Sequence, residues 1–346
     1  MASPRPNRSN TPMATPSTEP SHRACVLLLA YNQQETIESA IDSVLGQQCE
    51  PIDIVLSDDA SSDCSFELMQ AAAERYRGPH SVRARRNATN LGIGQHYNQL
   101  VRATRAPLLV TAAGDDTSTP DRVLRLLQAW DANGQRADLI ASHLIDLDHE
   151  GRRHDVIRVD NLAAYRGVDD WARQRPYIVG AGHAFTRRMM ERFGPLAADI
   201  AYEDQVMVFR AIVSGGAITV DAPLVHYRRG GTSRRPRFER AADMSRWTVR
   251  QRGREIAEMM QLLRDAEVAG CHAQVEAVLR QSLARASYVQ RLALAGSSQA
   301  IRQVYRDAPR SLPWLWRFKK MLHARFPNAT YGIKSGLAVF QRRRHH

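Results

Sequence analysis

The sequence predicts an α/β protein with a mostly parallel central sheet between helices, followed by a helical appendage at the C-terminal end. Between residues 24 and 130, short apolar runs alternate with segments in which apolar residues recur at helical spacing. Several apolar runs end in acidic or polar residues, which is typical of strands that lead into a ligand-binding edge. From about residue 238 onward only the helical spacing remains.

The first two strands are predicted at 24–32, ACVLLLAYN, and at 52–63, IDIVLSDDASSD. A continuous apolar run such as the first is typical of a strand buried on both faces of a sheet. The helix between them presents one apolar face, formed by Ile37, Ala40, Ile41, Val44 and Leu45. Ser62 is predicted to cap the helix that follows the second strand.

A weaker third strand is predicted at 81–87, then a turn and helix at 90–104, and a further strand at 106–116. Thr119 and Pro120 are predicted to form the N-cap and the first turn of the next helix. Because helical crossovers make successive strands parallel, their carboxyl ends lie along one edge of the sheet.

Three polar clusters are expected to meet at that edge: Tyr31–Asn32, Asp58–Asp59 and Asp115–Asp116. The pair at 115–116 suits Mg²⁺ or Mn²⁺, which prefer oxygen ligands and share them with substrate phosphates; a solvated turn is the simpler alternative. The pair at 58–59 can accept a nucleobase imide N–H or a ribose hydroxyl, or can instead cap a helix.

Two further segments carry candidate chemistry, each with an alternative that stays open. Glu203 and Asp204 begin a predicted helix, where a carboxylate can act as a general base or can simply stabilise the helix dipole. The segment 225–237, VHYRRGGTSRRPR, suits a basic loop that closes over a diphosphate, or a linker between domains. Within it, His226 is more typical of a buried core histidine than of a ligand.

The net charge of +12 is concentrated in residues 228–346, which carry 25 Lys and Arg against 8 Asp and Glu. This asymmetry predicts an anionic partner. Residues 311–326 mix Trp and Phe with Arg and Lys, as interfacial helices do, so peripheral contact with an anionic membrane is expected through 311–346. A packed terminal helix is the alternative. No nucleic-acid-binding motif is present, and nucleic acid is not an expected partner.

The four cysteines lie far apart without a CxxC pair, which argues against a zinc site or a disulfide framework and favours a reducing compartment. Residues 1–22 are rich in Pro, Ser and Thr and predict a disordered tail rather than a secretory signal. No early apolar run reaches the length of a membrane span. We expect a cytoplasmic protein, at most peripheral on the cytoplasmic face of the inner membrane.

Five segments resemble family 2 glycosyltransferases in order and approximate spacing. They are VLLLAYNQQETIESAIDSVLGQ, IDIVLSDDASSD, NLGIGQHYNQL, LLVTAAGDDTSTPDRV and YEDQVMVFRA. These enzymes have the GT-A fold and invert the anomeric centre, and the resemblance covers about residues 24–235. It implies a GT-A catalytic domain at 23–237 and a basic helical domain at 238–346.

The resemblance implies a role for each acid at the sheet edge. Tyr31 is similar to the aromatic residue that packs near the nucleotide base. Asp59 resembles the acid that reads the base, with Asp58 beside it. Asp115 resembles the residue at the ribose or at a metal-bound water, and Asp116 the ligand of a metal that bridges to the diphosphate.

The later motifs also carry implied roles. Asp204 matches the catalytic base, with Glu203 beside it, and Arg228 lies in the loop expected over the donor diphosphate. The segment GAGHAFTRR at 180–188 resembles the acceptor-side loop, with Gly182 and His183 nearest the acceptor.

Three positions depart from the family pattern. Leu29 stands where Thr or Ser is usual, and Ala60 stands where Gly is usual. Gly230 stands where a His is frequent, which leaves open whether His226 takes part in metal or diphosphate binding.

The implied function is metal-dependent, inverting transfer of a sugar from a UDP- or dTDP-linked donor to a hydroxyl of a glycan or lipid-linked acceptor. The expected cofactor is Mn²⁺ or Mg²⁺, and the expected process is bacterial surface polysaccharide synthesis. The first alternative is a non-catalytic GT-A-like scaffold of a polysaccharide assembly. The second is a nucleotidyltransferase, for which the chain lacks a Gly- and Lys-rich first loop.

Overall fold

A computed structural model describes residues 22–148, 150–229, 238 and 240–328. Within these residues, nine strands form one sheet. The strands are β1 (Ala24–Ala30), β2 (Asp53–Asp58), β3 (Ser81–Arg86), β4 (Leu108–Ala113), β5 (Thr117–Ser118), β6 (Leu139–Leu147), β7 (Arg153–Ile157), β8 (His183–Thr186) and β9 (Ala217–Arg228). The helices are α1 (Ile37–Leu45), α2 (Ser65–Arg75), α3 (Gly92–Ala103), α4 (Arg122–Ala132), α5 (Val168–Arg173), α6 (Arg187–Phe193), α7 (Glu203–Ile212), α8 (Ala241–Ala269), α9 (His272–Leu294), α10 (Ser298–Arg306) and α11 (Trp314–Arg325).

The strand order is β3-β2-β1-β4-β8-β6-β9-β5, with β7 paired to β6. The first four strands are parallel, as the alternation of strands and helices predicted. Strand β8 is antiparallel to both neighbours, because it enters the sheet from a loop rather than through a helical crossover. The carboxyl ends of β1, β2 and β4 therefore share one edge, which places the predicted acidic clusters together.

The two faces of β1 pack into different hydrophobic layers, as expected for a strand covered on both sides. Leu28 packs with Ile41 of α1 and Leu126 of α4 on one face. Leu27 packs on the other face in a cluster that also contains Phe209 of α7. Helices α8 and α9 contribute Leu262, Val275 and Leu279 to this second cluster, so the C-terminal helices share a core with the sheet.

Two predicted helix starts were wrong by two residues each. The helix predicted to start at Thr119–Pro120 is α4, which begins at Arg122 after Asp121, and the Thr119 hydroxyl instead bonds the Asp121 carboxylate at 2.8 Å. The Ser62 hydroxyl and backbone N–H both donate to Asn32 Oδ1, at 3.2 and 2.8 Å, and the next helix begins at Ser65 without a side-chain cap. In both places the polar side chains are used to fasten loops at the sheet edge.

Three predictions concern residues outside the described ranges: the tail at 1–21, the basic loop from 230 to 237 and the chain end from 329 onward. His22, the last residue of the predicted tail, is described and bonds Asp53 at 3.0 Å. None of the helices in the described residues has the length and low polarity needed to cross a bilayer.

A buried ion pair fastens α7 to α8. Arg210 is fully buried and donates to both carboxylate oxygens of Asp265, at 2.7 and 3.0 Å. The same guanidinium donates to the Gly194 carbonyl at 3.0 Å. Because α7 begins with the acidic pair at 203–204, this bond positions the candidate base relative to the C-terminal helices.

We expect Arg210→Met to lower the free energy of unfolding by about 3–5 kcal/mol, since it leaves the buried Asp265 carboxylate without its cationic partner and with only the Gln261 amide as a donor. Urea denaturation measures the loss, and Arg280→Ala, at an exposed arginine on α9, is the control. The double variant Arg210→Met/Asp265→Leu should recover much of the stability. A loss below about 1 kcal/mol for Arg210→Met would show that the pair is dispensable.

Candidate active site

The loops that follow β1 and β2 are tied together at the sheet edge. The Asn32 backbone N–H donates to Ser61 Oγ at 2.8 Å, and the Asn32 side chain accepts from the Ser62 N–H. Asn32 has a φ of +52°, which Asn tolerates better than most residues. Tyr31 is left 48% exposed beside this junction, where its ring is free to stack on a planar ligand.

Both oxygens of Asp59 are engaged within the protein. Oδ1 accepts from the Asn87 side chain at 2.7 Å and from the Leu91 N–H at 2.9 Å, and Oδ2 accepts from the Gly92 N–H at 2.9 Å. This carboxylate therefore holds the start of α3. The role of Asp59 in recognising the nucleotide base stays a prediction. In that role the base would have to share or displace the hydrogen bonds that Asp59 accepts here.

Asp58 has more spare hydrogen-bonding capacity than Asp59. Its Oδ2 accepts from the Ser61 N–H at 2.9 Å and pairs with Arg86 at 3.2 Å. Its Oδ1 is buried and has no hydrogen-bond partner among the described residues. A buried acceptor without a partner is costly. Because Asp58 is 0% exposed, a ligand N–H reaches this oxygen only if the loop after β2 moves.

Ala60 occupies the position where the family usually has Gly, and its φ is +61°. A Cβ in this left-handed region costs about 1–2 kcal/mol relative to an ordinary conformation. The loop after β2 thus keeps a left-handed conformation at position 60, although alanine stands there in place of glycine.

Gly114 allows the strand end that carries the acidic pair to approach β1. A Cβ built on Gly114 would lie 2.8 Å from the Ala30 Cβ and closer still to the Gln33 side chain. The Thr36 hydroxyl donates to the Gly114 carbonyl at 2.9 Å. The sequence AAGDD therefore needs its glycine for packing, and the packing places Asp115 and Asp116 at the edge.

Asp116 is 5% exposed, and its Oδ1 accepts from the Arg228 backbone N–H at 2.8 Å. Burial and the neighbouring Asp115 carboxylate raise the pKa of Asp116 to about 8, against the opposing effect of Arg122 and Arg228. Burial also raises the pKa of Asp115. Two enclosed carboxylates that resist ionisation form a site that a cation would stabilise.

Among the described residues, no group of three or more His, Cys, Asp or Glu side chains is arranged to hold a metal ion. The donor set at Asp115 and Asp116 nevertheless fits Mg²⁺ or Mn²⁺, because these ions commonly take one or two protein carboxylates and complete their shell with phosphate oxygens and water.

Arg228 and His226 line the site from β9. The backbone N–H and the charge of Arg228 both act to lower the pKa of Asp116. The Arg228 Nε is buried without a hydrogen-bond partner among the described residues. His226 lies opposite Thr117, with its Nε2 2.8 Å from the Arg153 guanidinium. The donor-side role of Arg228 stays a prediction, and so does any part of His226 in metal or diphosphate binding.

Arg122 is the functional-site residue that the sequence reasoning missed. It is fully buried and donates to the carbonyls of Thr111 and Ala181, both at 2.8 Å, and to Ser118 Oγ at 3.0 Å. Its charge lowers the pKa of Asp116. Arg122 could have been found in the sequence as an arginine on the face of α4 that Leu126 and Trp130 otherwise make apolar.

The loop at 180–182 links Arg122 to the second acidic pair, because Arg122 donates to the Ala181 carbonyl. Next to Ala181, a Cβ on Gly180 would lie 2.7 Å from Glu203 Oε1, so the loop packs directly on this carboxylate. Burial and the Asp204 charge raise the pKa of Glu203 to about 8. Burial also raises the pKa of Asp204, which makes it a stronger base when ionised.

The prediction that Gly182 and His183 lie nearest the acceptor stays a prediction, and both residues are buried in this structure. His183 is fully buried in β8 against Phe185, and neither ring nitrogen has a hydrogen-bond partner among the described residues. Burial lowers the pKa of His183 to about 3, so its ring is neutral. Gly182 is also buried, and a Cβ built on it would lie 3.0 Å from the Ser142 carbonyl oxygen. The partly exposed residues of the loop are Gly180 and Ala181.

The sequence profile of Glycosyl transferase family 2 matches residues 25–194. The chain carries a glycosyl transferase family 2 domain. A curated relative, the succinoglycan biosynthesis protein ExoO of Rhizobium meliloti, is 27% identical over 236 residues, which are 60% of this chain and 62% of the relative. The chain therefore covers less than two thirds of that relative's length.

Solved structures resemble this chain in fold over a longer stretch than the family 2 domain. Staphylococcus aureus TarS 1-349 in complex with UDP-GlcNAc has a TM-score of 0.54 at 12% identity and covers 90% of this chain and 89% of its own. The mannosyltransferase PcManGT of Pyrobaculum calidifontis, with GDP-Man and Mn²⁺, has a TM-score of 0.51 at 16% identity, covering 89% and 87%. The predicted GT-A fold with C-terminal helices is confirmed.

Proposed function

We propose that the protein is a metal-dependent, inverting glycosyltransferase that moves a sugar from a UDP- or dTDP-linked donor to a hydroxyl of a glycan or lipid-linked acceptor. We place it in bacterial surface polysaccharide synthesis. The observation that carries the proposal is the chain of contacts that links two acidic pairs, 115–116 and 203–204, through Arg122 and the 180–182 loop. The family 2 domain and the ExoO relative support the same reaction class.

In this proposal the donor lies along the carboxyl edge, with its base near Tyr31 and Asp58. Asp116, held by the Arg228 N–H, and Asp115 would hold Mn²⁺ or Mg²⁺, which neutralises charge on the departing diphosphate when bound. Asp204 takes the proton of the acceptor hydroxyl as that oxygen attacks the anomeric carbon. A single displacement of this kind inverts the anomeric centre without a covalent enzyme intermediate.

A non-catalytic scaffold is disfavoured by the energetics of the acidic pairs. Four carboxyl groups with raised pKa values destabilise a fold that makes no use of them. A nucleotidyltransferase would release pyrophosphate, so the leaving group distinguishes it from the proposed transferase.

A thermal-shift panel tests the donor class. With Mn²⁺ present, UDP- or dTDP-sugars should raise the melting temperature more than GDP- or CMP-sugars do, because ligands that bind only the folded chain stabilise it. The Asp116→Asn variant should lose the Mn²⁺-dependent part of the increase. Equal or absent shifts across the panel would contradict the proposed donor class.

The acidic pairs also predict how stability depends on pH. Since the pKa values of Asp116 and Glu203 are raised to about 8, the folded chain binds more protons than the unfolded chain between their ordinary pKa values and that pH. Stability of the metal-free protein should therefore fall as pH rises through this range. Scanning calorimetry should show a larger stabilisation by Mn²⁺ with UDP at about pH 8 than at about pH 5.5. An equal stabilisation at both would contradict this linkage.

The proposal includes contact with an anionic membrane on its cytoplasmic face through 311–346. On the described part, α11 exposes Trp314, Leu315, Phe318 and Leu322, with Phe326 just after it. Their spacing places them on one side of the helix. Arg325 and Lys319 flank this stripe in sequence, which is the composition of an interfacial helix.

We expect Leu315→Ser to weaken binding to vesicles that contain anionic phospholipid by about 5- to 30-fold, since one buried leucine contributes roughly 1–2 kcal/mol at an interface. Leu294→Ser is the matched control, because Leu294 is 63% exposed and Leu315 is 62% exposed. Cosedimentation measures both. Equal binding of the two variants would remove α11 from the contact.

A further inference from the structure

The hairpin that joins β6 to β7 lies beside the carboxyl end of β9, where the Arg228 N–H bonds Asp116. Leu147 of β6 pairs with Arg153 of β7 on one side and with Arg228 of β9 on the other, so both arginine side chains leave the same face of the sheet. At the hairpin turn, a Cβ built on Gly151 would lie 3.8 Å from Arg228 Nη1. The hairpin therefore brings a second arginine, Arg153, close to Arg228.

Among the described residues, His226 is the hydrogen-bond partner of the Arg153 side chain. The Arg153 Nη2 lies 2.8 Å from His226 Nε2. An arginine side chain can only donate hydrogen bonds, so His226 Nε2 is the acceptor and the neutral ring carries its proton on Nδ1. That Nδ1 lies 3.4 Å from the hydroxyl of Thr117, the residue after Asp116. A chain of contacts therefore runs from Arg153 through His226 to the candidate metal-binding pair.

The carboxylates at the hairpin turn are engaged by a different arginine. Asp148 accepts from Arg152 Nε at 2.9 Å, and Arg152 also pairs with Glu150 at 2.7 Å. Neither Arg153 nor Arg228 forms an ion pair within the part of the chain that the structure describes. Two arginines without ion pairs, next to carboxylates that suit a divalent cation, form an edge that suits a diphosphate, because phosphate oxygens bind both guanidinium groups and Mg²⁺ or Mn²⁺.

We propose that Arg153 binds the diphosphate of the sugar-nucleotide donor together with Arg228, and that His226 is a positioning residue that orients Arg153 rather than a ligand of the metal. The inference rests on the proposed function, because it takes the 115–116 pair as the donor's metal site. With His226 Nε2 accepting from Arg153 and Nδ1 protonated, neither ring nitrogen offers a lone pair to a cation. Residues 153–156 of β7 are exposed, which leaves the Arg153 guanidinium accessible to a ligand.

Titration calorimetry of the full chain in Mn²⁺, with whichever of UDP and dTDP binds more tightly, tests the assignment of Arg153. Arg153→Ala should weaken binding of this nucleotide about tenfold or more, since a charge-assisted hydrogen bond is lost. Binding of the free nucleoside, which has no phosphate, should not change. The matched control is Arg152→Ala, which removes the neighbouring exposed arginine and should keep nucleotide affinity within about twofold. Equal nucleotide affinity of the two variants, or an equal loss of nucleoside and nucleotide binding in Arg153→Ala, would overturn the inference.

A double-variant cycle tests the role of His226. His226→Ala should weaken nucleotide binding about three- to tenfold, because Arg153 then loses its fixed orientation, and should add nothing to the loss in Arg153→Ala. His226→Gln should restore most of the affinity, since its amide oxygen can accept from Arg153 in place of Nε2. Binding of Mn²⁺ alone, measured by electron paramagnetic resonance, should be the same in His226→Ala as in the unmodified protein. Additive losses, or weaker Mn²⁺ binding in His226→Ala, would contradict the positioning role.

Failure of this inference and failure of the proposed function give different results. If UDP or dTDP binds the unmodified protein in Mn²⁺ and Arg153→Ala binds it equally well, only the role of Arg153 is refuted. If neither nucleotide binds the unmodified protein, the proposed donor class is contradicted and the inference fails with it.

Discussion

Asp116→Asn should lower the rate of sugar transfer by about 10²–10³-fold while the protein stays folded. Asn has the volume of Asp and can still accept from the Arg228 N–H, so the contacts that hold the strand end are kept. What is lost is the negative oxygen that a divalent cation needs in this enclosed site. Because the carboxyl is buried beside Asp115, water cannot easily replace it.

Steady-state kinetics with saturating donor measures this effect. Asp121→Asn is the matched control, since Asp121 lies five residues on, at the start of α4, and makes an exposed pair with Arg125. Its activity should stay within about twofold of the unmodified protein. Full activity of Asp116→Asn, or full activity of the unmodified protein in excess chelator, would remove the metal role from this residue.

Asp204→Asn should lower kcat by about 10²–10⁴-fold, the usual contribution of a general base, and should leave donor binding unchanged. The amide keeps the hydrogen-bond acceptor for the Gln205 N–H at the start of α7 but cannot take a proton. Donor affinity should be spared because the donor contacts lie across the site at the 115–116 pair.

Calorimetric donor binding together with single-turnover transfer separates the two effects. Asp199→Asn, at an exposed position in the preceding loop, is the control and should behave like the unmodified protein. Transfer at an undiminished rate by Asp204→Asn would reject Asp204 as the base and make Glu203, whose pKa is raised to about 8, the next candidate. Loss of donor binding would instead indicate a structural role.

The sheet edge was predictable because local patterns determine it. The run ACVLLLA has no polar residue, as is typical of a strand covered on both faces. The acids at the end of β2 and just after β4 follow from the same alternation of strands and helices. Strand β8 was not predictable in this way. His183–Thr186 is four residues long, and its antiparallel pairing depends on β4 and β6, which are distant in sequence.

The features that the sequence did not predict are mainly side chains whose partners are distant in sequence. Arg122 and Arg210 both interrupt apolar helix faces, and their carbonyl and carboxylate partners lie 11 to 59 residues away. His183 looked accessible as part of a glycine-rich loop, but β8 carries it into the core. Periodicity predicts which face is buried, but it does not predict which buried charge has found a partner.

The most direct test of the account is to identify the leaving group. The full chain is incubated with Mn²⁺ and a UDP- or dTDP-sugar, and the released products are quantified with and without chelator. The account predicts slow release of the nucleoside diphosphate that chelation and Asp116→Asn both abolish. Release of pyrophosphate, or no release from any sugar nucleotide that binds, would contradict it.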